Sequence, residues 1–121
     1  MISGIGLDSI EIARIAEKCL YPGSRFAEKM FTEHERLRSA RNSRNPYEHL
    51  AGCFAAREAF FKATQIWVRR TDVSVAQRPS GEPYYVMVEN VERQLGDRRV
   101  NLSITHDRSF AHAICICERP D

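Results

Sequence analysis

Two carboxylates, Asp8 and Glu58, stand among apolar neighbours where an ordinary core has little use for charge. Asp8 closes the apolar run MISGIGLD, and Glu58 interrupts the apolar stripe of LAGCFAAREAFFKA. At 3.6 residues per turn, Leu50, Phe54 and Phe61 share one helical face, and Glu58 lies within roughly 60° of the last two. A carboxylate half inside a core is costly unless something positive meets it. The chemistry open to the pair is therefore a cationic side chain or a hard divalent ion such as Mg²⁺, which commonly takes only one or two protein carboxylates. Lys62, at i+4 from Glu58, is the nearest cation, while Arg57 points elsewhere. Spacing alone leans to a plain helix pair worth about 0.3 to 0.5 kcal/mol, with Asp8 capping the helix that follows it.

The elements that must position these groups can be read in order. Ile2, Ile5 and Leu7, with Gly4 and Gly6 between them, form a short strand that admits close backbone approach. From Ser9 a helix follows on Ile10, Ile12, Ile15, Ala16 and Cys19, and Pro22-Gly23 stops it. RFAEKMF adds a further turn or two of helix. Thr32 with Glu35 makes a capping box for the next helix. Asn45, Pro46 and Glu48 supply cap, first-turn proline and acid for the long helix that carries Glu58 to about Thr64. Beyond it the period changes. Val73 and Val75, the turn PSGEP, then Tyr84, Val86 and Val88 make a hairpin; Glu89 to Leu95 is a short helix ended by Gly96; VNLSIT and FAHAICICE are two closing strands. The reading is one α+β domain over residues 1–121, a small antiparallel sheet packed on a long central helix.

Composition bounds the function. A chain of 121 residues with 43% hydrophobic and 28% charged residues is an ordinary globular domain. A net charge of +2 argues against nucleic-acid binding at large, although Arg36, Arg38, Arg41 and Arg44 crowd one stretch as an anion-facing patch or a solvated face. No apolar run reaches the roughly 18 residues of a membrane span, and no secretory signal opens the chain, so a cytoplasmic protein with no membrane partner is expected. Its cysteines, Cys19, Cys53, Cys115 and Cys117, lack paired C-x-x-C spacing and read as free thiols. Cys115 and Cys117 alternate along one strand face as small core residues, with a zinc site shared with His106 or His112 as the minor alternative.

The remaining candidate is SITHDRSFAHA, with His106 and Asp107 between two strands, either exposed spectators or ligand contacts. Together, GIGLDSIEIARI, LAGCFAAREAFFKA and SITHDRSFAHA, with RFAEKMFT and SGEPY between them, resemble the holo-[acyl-carrier-protein] synthases, the small bacterial phosphopantetheinyl transferases. The likeness covers essentially the whole chain.

That resemblance implies Mg²⁺-dependent transfer of 4′-phosphopantetheine from coenzyme A to a serine of apo acyl carrier protein, supporting fatty acid biosynthesis, with adenosine 3′,5′-bisphosphate released. It implies Asp8 and Glu58 as the metal carboxylates. Lys62 would lie near the diphosphate, where an ammonium stabilises charge or joins in proton transfer. It also implies His106 and Asp107 beside coenzyme A with a catalytic role, and Arg57, Gly81, Pro83, Ser103 and Thr105 as contacts to the nucleotide or phosphates. Arg14 and Arg25, with Phe26 and Met30, match the positions that dock the acidic carrier protein, and a homotrimer with coenzyme A between subunits is the family's usual assembly. A catalytically degenerate coenzyme A or carrier-protein binding module of the same fold is the alternative.

Two positions depart from the family pattern. Cys53 stands where a basic residue is usual, and ATQIWVRRTDV lacks the glycine-bearing loop that commonly follows the Lys-Ala pair. Trp67 either packs where that loop would have been or, as expected here, extends the core. Arg69 and Arg70 either restore positive charge near the nucleotide or form a solvated turn.

Overall fold

A computed structural model describes residues 1–19, 24–42 and 44–121. Its elements are β1 (Ile2–Glu11), α1 (Ile12–Cys19), α2 (Arg25–Met30), α3 (Glu33–Ala40), α4 (Pro46–Thr64), a 3-10 turn (Arg70–Asp72), β2 (Val73–Gln77), β3 (Pro83–Met87), α5 (Glu89–Leu95), β4 (Arg99–His106) and β5 (Phe110–Glu118). The class is α+β, as expected, but the strands form two sheets. One is three-stranded and antiparallel in the order β1-β5-β4; the other is the β2-β3 hairpin.

The central helix α4 begins as its sequence predicts. Asn45 accepts a hydrogen bond from the Tyr47 amide at 3.0 Å, Pro46 opens the first turn and Glu48 lies within it. The capping box of α3 is also present: Thr32 Oγ1 accepts from the Glu35 amide, and the Glu35 carboxylate accepts from the Thr32 amide. α4 lies on the sheet almost backbone to backbone. A Cβ built on Gly4 or Gly6 would sit 1.9 Å from the carbonyl oxygen of Ala63 or Ala59, so only glycine allows β1 to come this close. Ala111, Ala113, Cys115 and Cys117 on β5 are buried under the same helix. On the helix's other side, Phe60 packs edge-on to Tyr85 of the hairpin with ring centroids 5.1 Å apart. Burial of each such large apolar side chain stabilises the fold by about 1.5–3 kcal/mol.

Three local expectations are corrected. β1 runs through Asp8 to Glu11, because Ser9, Ile10 and Glu11 pair with His112, Ala111 and Phe110 of β5; the helix starts at Ile12, and Asp8 caps nothing. Trp67 is 64% exposed and only lies against the Phe61 ring at 5.5 Å, so it adds nothing to the core. Gln65, with a left-handed φ of 59°, ends α4, and the residue buried after it is Ile66 rather than Trp67. Arg57, expected at the nucleotide or phosphates, is instead buried in the core. The Pro22-Gly23 stop lies outside the described residues.

Candidate functional site: two clusters on opposite flanks of one helix

β1 brings Asp8 to the face of the sheet that meets α4, since Asp8 pairs across with Ala113, a residue buried beneath that helix. Lys62, from the last turns of α4, donates to Asp8 Oδ1 at 3.2 Å and to the Leu7 carbonyl at 3.0 Å. Glu58 is partnered by Arg70 of the 3-10 turn instead, through Nη1 and Oε1. The expected Glu58–Lys62 helix pair is therefore replaced by two pairs, each crossing between elements. Burial pushes the Asp8 carboxyl above the usual carboxylate range; Lys62 draws it back, and the nearby Glu58 charge raises it again. The two acids are thus close enough to feel each other, in a partly exposed site with 17% and 20% side-chain exposure.

A second cluster surrounds a cleft of about 280 Å³. Gly52, Pro83 and Ile104 line it, together with the polar side chains of Arg38, His49 and His106. His106 ends β4, with Nε2 4.0 Å from Glu48 Oε2. Gly81 also lines this cleft. Cys53 reaches it as a fully buried thiol, its Sγ 3.5 Å from His49 Nε2, and burial holds it far above the range in which a thiolate forms. Burial also lowers the His49 pKa, and the Arg38 charge acts in the same direction.

At about 100° per residue, Gly52, Cys53 and His49 stand roughly 120° to 180° around α4 from Glu58. One chain therefore brings Asp8, Glu58 and Lys62 together, and brings Gly81, Pro83 and His106 together, but it does not join the two groups.

Other predicted residues fall elsewhere. Arg57 is 1% exposed and cannot reach a ligand: Nη1 donates to Glu35 at 2.7 Å and to the Val73 carbonyl at 2.8 Å, and Nη2 donates to the Met30 carbonyl at 2.6 Å. Ser103 and Thr105 pair with Ile114 and His112, which puts them on the sheet face turned away from α4, outside both clusters. Asp107 Oδ1 accepts from the Ser109 and Phe110 amides, both at 2.8 Å. Those bonds lower its pKa, so it locks the β4-β5 turn and is a poor proton acceptor. Arg14 and Arg25 are exposed on α1 and α2, with Phe26 and Met30 half-buried between them and the core. The zinc alternative has no geometry: Cys115 and Cys117 face α4, whereas His112 lies on the far face, bonded to Ser9 at 2.8 Å. Sequence reasoning missed His49 and Ile104 at the cleft. Arg38 had been legible only as part of the arginine-rich stretch.

A family model described as the 4′-phosphopantetheinyl transferase superfamily matches residues 4–115. The chain belongs to that superfamily. It is 37% identical over 124 residues to the holo-[acyl-carrier-protein] synthase of Halothermothrix orenii, with 98% of each chain covered. Its backbone is similar to that of the Neisseria meningitidis holo-[acyl-carrier-protein] synthase, at a TM-score of 0.86, 28% identity and coverage of 98% of this chain and 100% of that one. The same holds for the ACPS–CoA complex of Chronobacterium ammoniagenes, at a TM-score of 0.83, 31% identity and 98% coverage of both chains. The superfamily frame spans both clusters, from β1 with Asp8 to the β4-β5 segment with His106.

Proposed function

We propose that this protein transfers 4′-phosphopantetheine from coenzyme A to the serine hydroxyl of an apo acyl carrier protein. The serine oxygen forms a bond to the phosphorus that bears the pantetheine, the bond from that phosphorus to the bridging pyrophosphate oxygen breaks, the serine proton is lost to base, and adenosine 3′,5′-bisphosphate leaves. The observation that carries this reading is the convergence of Asp8, Glu58 and Lys62 where β1 meets α4, in a chain of this superfamily.

The site fits a hard divalent cation. Asp8 and Glu58 offer adjacent, partly exposed carboxylate oxygens and no soft donor, and among the described residues no cluster of three or more His, Cys, Asp or Glu competes for a metal. Asp8 and Glu58 would hold Mg²⁺, which when bound neutralises charge developing on pyrophosphate oxygens. Lys62, 51% exposed, can turn its ammonium from Asp8 toward the diphosphate and keep the Leu7 carbonyl as an acceptor. His106 and the cleft beside it take the nucleotide, with Ile104 and Pro83 under the base and Arg38 and His49 near its phosphates.

One chain sets the two clusters on opposite flanks of α4, so a complete site takes them from neighbouring copies, and the assembly proposed is the homotrimer that the family resemblance implies. The surface suited to that assembly is the outer face of the three-stranded sheet, where Ile5, Leu7, Phe110 and Ile114 are exposed side by side. Arg14, Arg25, Phe26 and Met30 dock the acidic carrier. Among the described residues no helix is long and apolar enough to cross a membrane; the setting proposed is cytoplasmic, in fatty acid synthesis.

The test is to incubate the purified protein with apo acyl carrier protein, coenzyme A and Mg²⁺ and follow the carrier's intact mass. A phosphopantetheine mass gain that disappears with EDTA and with Glu58→Ala supports the reading; no gain with several folded carriers contradicts it.

A further inference from the structure

Both acids of the proposed metal site are already occupied by cations of their own chain. Lys62 holds Asp8 and Arg70 holds Glu58, so the four side chains form a quartet with no net charge. A divalent ion that needs bare carboxylate oxygens must displace both. Lys62 has a second acceptor in the Leu7 carbonyl at 3.0 Å. The Arg70 side chain has no other hydrogen-bond partner among the described residues. Its guanidinium instead lies over two aromatic faces of α4, 5.5 Å from the Phe54 centroid and 5.8 Å from that of Phe61. Those rings retain a guanidinium beside the site without fixing its fork on one acceptor.

Charge decides where the fork goes. Adding a divalent cation to the neutral quartet leaves two surplus positive charges, the number that a diphosphate diester with one charge on each phosphate removes. Displaced from Glu58, Arg70 meets the diphosphate as the acceptor nearest its path, and a guanidinium suits two phosphate oxygens at once. We propose that Arg70 is a phosphate-binding residue released by the metal: it masks Glu58 in the empty enzyme and moves to the diphosphate of coenzyme A when the cation binds. The inference rests on the metal site proposed above and adds to it a residue on the turn that follows the glycine-free linker. It also gives an order of events, since the phosphate clamp becomes available only after the carboxylates are taken by metal.

The experiment measures binding without turnover. Mn²⁺ is titrated by calorimetry into wild-type protein, Arg70→Gln, Arg70→Lys and Glu58→Gln; coenzyme A is then titrated into the same proteins at saturating Mn²⁺, with circular dichroism confirming the fold of each. Removing the mask should tighten Mn²⁺ binding by Arg70→Gln about five- to tenfold, while loss of the clamp weakens its coenzyme A binding by about tenfold or more. Arg70→Lys should fall between wild type and Arg70→Gln in both titrations. Opposite movement of the two affinities is a pattern that damage to the fold does not produce. Unchanged or weakened Mn²⁺ affinity in Arg70→Gln, or unchanged coenzyme A affinity, overturns the role given to Arg70, while Mn²⁺ binding that Glu58→Gln abolishes leaves the metal site itself standing. No Mn²⁺ binding to the wild-type protein overturns the metal site and this inference together.

Discussion

Lys62 reaches from α4 across to Asp8 on β1, with Nζ 3.2 Å from Oδ1, rather than along its own helix to Glu58. The bond ties the first strand to the end of the central helix and sets an ammonium against one of two neighbouring acids.

A stability prediction follows from the direction of the Asp8 shift. Burial raises its pKa more than Lys62 lowers it. A carboxyl with a raised folded-state pKa binds its proton more tightly when folded, so its contribution to stability is complete below the ordinary carboxylate pKa and is lost as pH rises through the raised value. Ionised Asp8 is therefore no asset to the metal-free fold at neutral pH. Asp8→Asn should melt at or above the wild-type temperature at pH 7 without metal, yet lose Mn²⁺ binding in calorimetry. In the wild type, Mn²⁺ affinity should begin to fall on acidification at a higher pH than for an unperturbed aspartate.

The buried pair Arg57–Glu35 should be a main determinant of stability. Glu35 accepts from Arg57 and from the Val75 and Thr32 amides, and Arg57 also donates from Nη1 and Nη2 to the Val73 and Met30 carbonyls, so removing either partner strands several buried groups. Arg57→Ala or Glu35→Ala is expected to cost about 3–5 kcal/mol in denaturant unfolding. A loss under 1 kcal/mol would mean that water enters and satisfies the site.

Gln65 carries a glycine's backbone conformation, φ 59°, with its side-chain Nε2 donating to the Lys62 carbonyl at 2.9 Å. Gln65→Gly removes the left-handed penalty and that hydrogen bond together, so a net gain below about 1 kcal/mol is expected in chemical denaturation. A clear loss would show that the side-chain bond outweighs the backbone strain.

Leu7 is 62% exposed on the outer sheet face. A carboxylate there cannot be buried against another copy, so light scattering should find Leu7→Asp a monomer and the wild type the proposed trimer, with unchanged circular dichroism and lost transfer activity in the variant. A variant of wild-type size would place the subunit contact elsewhere.

Much of this was legible beforehand because it is local. The caps at Thr32 and Asn45, the glycines under α4 and the acids in apolar runs each advertise themselves within a few residues. What failed was tertiary. Ile10, Ile12 and Ile15 have a helical period, but pairing with β5 keeps Ile10 in a strand. Arg57 and Glu58 are neighbours in sequence and part in space, since one turns into the core and the other toward the 3-10 turn. Helical spacing could give Glu58 no partner beyond its own helix, so Arg70 read only as a charge near the nucleotide or part of a solvated turn. The cleft was half legible: His106 was named, but His49 and Ile104 come together only when β4 is laid beside the start of α4.

If the carboxylates of one copy and the His106 cleft of another make one active site, two inactive variants should restore activity when mixed. Glu58→Ala and His106→Ala should each transfer little phosphopantetheine alone. Unfolded and refolded together in equal amounts, they should recover about a quarter of wild-type activity, the share of random neighbours that join an intact carboxylate pair to an intact histidine. A mixture no more active than its components, or a fully active His106→Ala on its own, would contradict the shared site.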